Sequence, residues 1–182
     1  MTDDNEIRGP QSLKAACFAT LAVMNEQLAH EFPDPVLQLD MVDAQLAKKL
    51  GKVFHPYDPD RMVSWDWEKL FHKRVKHEKA AWMFAVSVGG GFGAVCYGTI
   101  SIDGDCVSIE YLERKLDVPA LKGVAARIAM QYAEALAAYL ELKEVRVCDP
   151  DPALVEFYEE NFDLTRQSEG NEVTYLFKKV QP

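Results

Sequence analysis

The chain has 182 residues, 48% hydrophobic and 27% charged, the balance of a water-soluble globular protein with enough length for a full core. Its 29 acidic residues outnumber 20 basic ones, for a net charge of −9, which disfavours nucleic acid and anionic membrane surfaces as partners. No apolar run approaches the roughly 18 residues of a membrane span, and the acidic opening Met1-Thr-Asp-Asp lacks the basic and apolar segments of a secretory leader.

The four cysteines, Cys17, Cys96, Cys106 and Cys148, form no C-x-x-C pair and sit in apolar runs, where cysteine behaves as a small hydrophobe. A reduced, cytoplasmic setting is the expectation. The histidines show no H-x-H or H-E-x-x-H spacing, so no metal site is expected.

In chain order, residues 1–12 read as a flexible arm. Leu13, Ala16, Cys17, Leu21, Met24 and Leu28 repeat at helical spacing and predict a helix to about His30, ended by Phe32-Pro-Asp-Pro. A second helix is expected from Val36 to Leu50, stopped at Gly51. The turn-rich segment HPYDPD follows, and then a helix capped by Ser64 with Trp67, Leu70 and Phe71 inward. No clear first strand is visible in this half, so residues 13–80 read as a helical part of one domain spanning 13–182.

Two apolar runs flank Gly89-Gly-Gly-Phe-Gly93. The glycines lie between strands rather than before a helix, so they predict a hairpin turn and not a phosphate loop. A third strand enters through Asp103-Gly-Asp105. A helix from Leu121 to about Leu142, a strand, a short helix and a last strand complete the order. The strand-helix-strand crossover implies a parallel pair within an otherwise antiparallel sheet, hence an α/β (α+β) fold with a mixed, mostly antiparallel sheet flanked by helices.

The run His72–Lys79 holds four Lys or Arg and two His, but no aromatic residue interleaves it, so it reads as a solvated helix face and nucleic acid binding as unlikely. Gly123, in Pro119-Ala-Leu-Lys-Gly-Val-Ala125, is different. It follows a strand and opens a helix, the place where unpaired N–H groups and the helix dipole receive an anion.

From Ile109 to Leu164 the chain resembles the Gcn5-related N-acetyltransferases, the GNAT superfamily, as a divergent member. The family loop Q/R-x-x-G-x-G/A is matched by Ala120-Leu-Lys-Gly123-Val-Ala125, with Ala120 in the place of Gln or Arg. Asp151 stands at an Asn-like turn position, Tyr158 at a helix tyrosine, and Asn161-Phe162 at a Gly-Phe. The resemblance covers about residues 81–180 and implies that this part is the core that binds acetyl-CoA.

It also implies which residues take part. The turn at Lys122, Gly123, Val124, Ala125 and Ala126 would bind the pyrophosphate. The segment through Leu116 and Val118, and Asp151, would complete the coenzyme site. Glu110 or Glu113 would take the proton of an amine, only one of the two facing the cleft because odd separation alternates faces. Tyr158 would protonate the departing thiolate. The implied activity is transfer of an acetyl group to an amine, on a small molecule or a protein, without a metal and with a homodimer possible. The alternative is a binding or regulatory protein that keeps this fold without its chemistry.

Overall fold

The computed structural model describes residues 10–61, 63–76, 80–170 and 172–180. Helix α1 (Pro10–Glu31) starts earlier than the expected arm allows, with proline at its first position, where its missing N–H costs nothing. The rest of that arm, residues 1–9, lies outside the described residues. Leu13, Ala16, Cys17, Met24 and Leu28 are buried as their spacing predicts.

The segment after α1 corrects the sequence reading. Leu37–Met41 forms strand β1, and the following helix α2 spans only Ala44–Val53. Leu37 and Leu39 alternate inward with period two, and Asp43 caps the helix by accepting from Leu46 N–H at 2.7 Å. At the free edge of β1, the Asn25 amide takes the part of a neighbouring strand. It donates to Leu39 C=O at 2.9 Å and accepts from Leu39 N–H at 2.7 Å.

Helix α3 (Trp67–Leu70) is capped by Asp66, not Ser64, and runs on into a wider π turn over Phe71–Val75. The basic run begins in that turn with His72, Lys73 and Arg74 exposed, and its residues 77–79 lie outside the described residues.

Strands β2 (Ala81–Val88) and β3 (Gly91–Ser101) form the expected hairpin. Gly89 and Gly90 both have positive φ, +57° and +89°, as a tight two-residue turn requires. Then follow β4 (Cys106–Arg114), α4 (Val124–Tyr139), β5 (Glu144–Cys148), α5 (Val155–Phe162), β6 (Thr165–Glu169) and β7 (Glu172–Lys179). The sheet order is β1-β2-β3-β4-β5-β7-β6. Among the described strands only β4 and β5 run parallel, as the crossover through α4 demands.

Two apolar cores sandwich the sheet. On one face α1, α4 and α5 bury Trp82, Phe84, Tyr132 and Ile128. There Phe84 and Tyr132 pack with ring centroids 4.8 Å apart, and each such side chain contributes about 1.5–3 kcal/mol by burial. On the other face α2 and α3 cover Met83, Ala85, Val95 and Tyr97 with Leu50, Phe54, Trp67 and Phe71. No helix among the described residues is long and apolar enough to cross a membrane.

Candidate active site

The parallel pair separates part-way along. β4 and β5 are paired from Cys106–Glu144 to Ile109–Val147, and β5 ends at Cys148. β4 runs on to Arg114, held only by β3. Antiparallel alternation then fixes the direction of its backbone groups. Lys115 N–H donates to Gly93 C=O, so Lys115, Glu113 and Tyr111 point toward β3, while Leu112 and Arg114 present their N–H and C=O to the gap left by β5. The gap lies at the carboxyl ends of the parallel strands, where ligands bind in open α/β sheets.

A short connection crosses the end of this gap. Leu116 is exposed, Val118 packs against the core, and Pro119–Leu121 forms one 3₁₀ turn. Lys122 and Gly123 are exposed. Gly123 has φ +74° and is the residue before α4. A Cβ there would meet no described atom within 4 Å; glycine favours the left-handed backbone, and the space beside it is open. No side chain of the described residues caps α4, and the N–H groups of Val124, Ala125 and Ala126 lie in its first turn, where they have no partner within the helix.

Asp151, expected beside the coenzyme, accepts from Ala153 N–H at 2.9 Å and caps the 3₁₀ turn leading into α5. The helix continues through Asn161 and Phe162. The left-handed residue that ends it is Asp163 (φ +56°), not Asn161, whose amide donates back to Phe157 C=O at 2.8 Å.

The two glutamates do not alternate. Tyr97 pairs with Tyr111 but Gly98 pairs with Ile109, so Glu110 is the extra residue of a β-bulge. Such a bulge turns two successive residues to one side. Glu110 and Glu113 both face the side covered by α2 and α3, which corrects the odd-separation argument.

Their surroundings differ sharply. Glu113 is buried and takes three donors: Arg61 Nε and Nη2 and Trp67 Nε1, each at 2.6 Å. Arg61 also donates to the carbonyls of Phe54 and Trp65, at 2.7 and 2.8 Å. This network ties the loop after α2 to β4. Glu110 is half-buried, with Thr99 Oγ1 donating to it at 3.1 Å. Nearby, burial pushes the Cys148 thiol up to about 11, with the Glu110 charge adding to the effect, so it stays protonated at neutral pH.

Tyr158 stands on the opposite face. It is buried with Ile109 and Val147 in the core beneath α4 and packs against Phe157 and Phe162. Burial, with the Cys96 thiol beside it, pushes its phenol up to about 12. Glu110 and the firmly protonated phenol of Tyr158 thus lie on opposite faces of the sheet.

No protein-family model and no curated protein matches the sequence. Solved structures match through the fold. An acetyltransferase from Thermus thermophilus superposes with a TM-score of 0.58 at 15% identity, over 79% of this chain and 97% of that one. A variant of the spermidine N-acetyltransferase SpeG from Vibrio cholerae gives 0.55 at 13% identity, over 79% and 93%. The PaiA N-acetyltransferase of Thermoplasma acidophilum, solved in complex with coenzyme A, gives 0.54 at 12% identity, over 79% and 98%. The chain has the GNAT fold. The resemblance read from the segment between Ile109 and Leu164 thus holds for the architecture, including the parallel β4–β5 pair and the helix that follows Gly123.

Sequence reasoning missed Arg61, Thr99 and the bulge. Arg61 lies 52 residues from Glu113 inside an acidic turn segment, and nothing local marks it. Gly98 opposite the bulge is the one available hint, since an isolated glycine in a strand often marks a bulge or a close approach.

Proposed function

We propose that this protein is an acyl-CoA-dependent N-acyltransferase that moves an acetyl group to an amine by direct attack. The observation that carries the reading is the gap between β4 and β5, closed at its end by the uncapped first turn of α4. The residues present suit acetyl-CoA: N–H groups at Val124–Ala126 with no partner among the described residues, and open space at Gly123, are the chemistry that receives a pyrophosphate. Lys122 adds a cation beside them.

Bound there, acetyl-CoA supplies an acyl group activated as a thioester. The backbone groups of Leu112 and Arg114 would hold the pantetheine arm as a strand would, and an N–H on this edge would stabilise the developing oxyanion. Glu110, open to solvent where Glu113 is not, accepts the proton of the attacking amine. Tyr158 holds a proton at its phenol oxygen and gives it to the thiolate. Glu113 has a different task. With three donors on its carboxylate, it positions the loop bearing Trp65 rather than moving protons.

The test is direct: incubate the protein with acetyl-CoA and a panel of amines, and follow both free thiol and acetylated product. Release of thiol matched by acetyl-amine supports the reading. A protein that binds coenzyme but acetylates no amine has the fold without the reaction.

A further inference from the structure

Resting on the acetyl-transfer reading, we infer that the amine acceptor also carries a carboxylate, and that Arg146 is the residue that receives it. Arg146 lies on β5 with its neighbours Val145 and Val147 buried toward α4, so its own side chain stands on the other face, the face of Glu110. Helices α2 and α3 cover β1 to β4 on that side. Beyond them Glu144, Arg146 and Cys148 of β5, and Tyr175 and Phe177 of β7, are half-buried and belong to neither core.

The guanidinium on this open face is held in place from two directions. Its Nε donates to Glu144 Oε1 at 2.6 Å, and its central carbon lies over the Tyr175 ring, 4.7 Å from the centroid. The side chain is 27% exposed. The terminal pair, Nη1 and Nη2, makes no hydrogen bond to any described residue. An arginine fixed at Nε and held over an aromatic ring presents this pair as a planar fork, which matches two carboxylate oxygens. Glu144 already neutralises the cation, which favours a singly charged carboxylate over a phosphate.

Arg146 also lies close along the sheet to Glu110. Arg146 is cross-strand from Ser108, two residues before Glu110. With a rise of about 3.3 Å per residue and strands about 4.8 Å apart, the Cα atoms of Arg146 and Glu110 are separated by on the order of 8 Å. Both side chains stand on the same face over that span, a separation that suits an amine and a carboxylate on one small molecule.

Matched acceptor pairs that differ only by the carboxylate test this: lysine against cadaverine, ornithine against putrescine, and tyrosine against tyramine, each with saturating acetyl-CoA. The expected result is a preference of tenfold or more in kcat/KM for the carboxylated member of at least one pair. Arg146→Gln should collapse that ratio toward one, mainly through KM, and Arg146→Lys should restore it only in part because an ammonium lacks the fork. Equal use of both members, preference for the decarboxylated amines, or no acetylation of any pair by a protein that binds acetyl-CoA would overturn the inference. A preference that survives Arg146→Gln would overturn the assignment to Arg146. Failure to bind acetyl-CoA at all would instead overturn the acetyl-transfer reading beneath it.

Discussion

Arg61 grips Glu113 with two parallel hydrogen bonds of 2.6 Å, and both side chains are almost wholly withdrawn from water, at 8% and 5% exposure. A buried bidentate pair of this kind is costly to break because the surviving partner keeps its charge without compensation. Arg61→Ala should therefore cost about 3–5 kcal/mol, read from urea unfolding. Replacing both residues together with apolar ones of similar volume should recover much of that loss. If the single and double variants lose equally, packing rather than charge explains the effect.

Gly98 makes the bulge possible. A Cβ added there would collide with Ser108 C=O and with the Trp82 ring, so Gly98→Ala must move either the strand or the core. The expected destabilisation is about 3 kcal/mol, with transfer activity falling as Glu110 shifts. Wild-type stability in that variant would mean that β3 and β4 tolerate another register.

Glu110→Gln keeps the Thr99 contact and removes the base. Turnover should fall by about 10²–10⁴ while coenzyme affinity holds. Glu113→Gln should act differently, lowering the melting temperature more than the rate of the surviving folded protein. If the two variants exchange these signatures, the roles are reversed.

Tyr158→Phe should lower turnover with little change in coenzyme affinity, and an unchanged rate would reduce Tyr158 to packing. Its pH behaviour follows from burial. The ordinary phenol value is 10.0 and the folded value about 12, so the folded state resists ionisation. That stability is complete below pH 10 and is lost as pH rises toward 12. Cys17 and Cys148, raised by burial from 9.0 to about 11, add the same trend from pH 9 upward. Unfolding midpoints followed upward from neutral pH should stay level with respect to these groups until about pH 9 and then decline. A rise beyond that point would contradict their burial.

What could be read in the sequence was whatever local periodicity or a turn residue dictates. The α1 stripe from Leu13 to Leu28, the Gly89-Gly90 hairpin and the Gly123 turn each follow from a rule acting within a few residues. β1 was missed because Leu37-Gln-Leu-Asp-Met is short and adjoins a true helix, so its alternation was absorbed into the helical pattern. β6 was missed for a different reason. Thr165-Arg-Gln-Ser-Glu169 is exposed at every position and carries no hydrophobic signal; only pairing with β7 makes it a strand. The site divides in the same way. That Gly123 precedes α4 and Tyr158 lies on α5 follows from order along the chain, whereas the surroundings of Glu113 depend on Arg61, which the fold brings from 52 residues away.

The central claim is that the turn at Gly123 receives the pyrophosphate of acetyl-CoA. Calorimetric titration with acetyl-CoA and free CoA, on the wild type and on Gly123→Asp, tests it most directly. Aspartate tolerates the left-handed backbone, as Asp105, Asp149 and Asp163 already do in this chain with φ of 52°, 43° and 56°, so the variant should fold. Micromolar binding of both ligands by the wild type, reduced at least a hundredfold by the added charge, is the predicted result. No binding by the wild type at millimolar ligand, or equal binding by a folded Gly123→Asp, would contradict it.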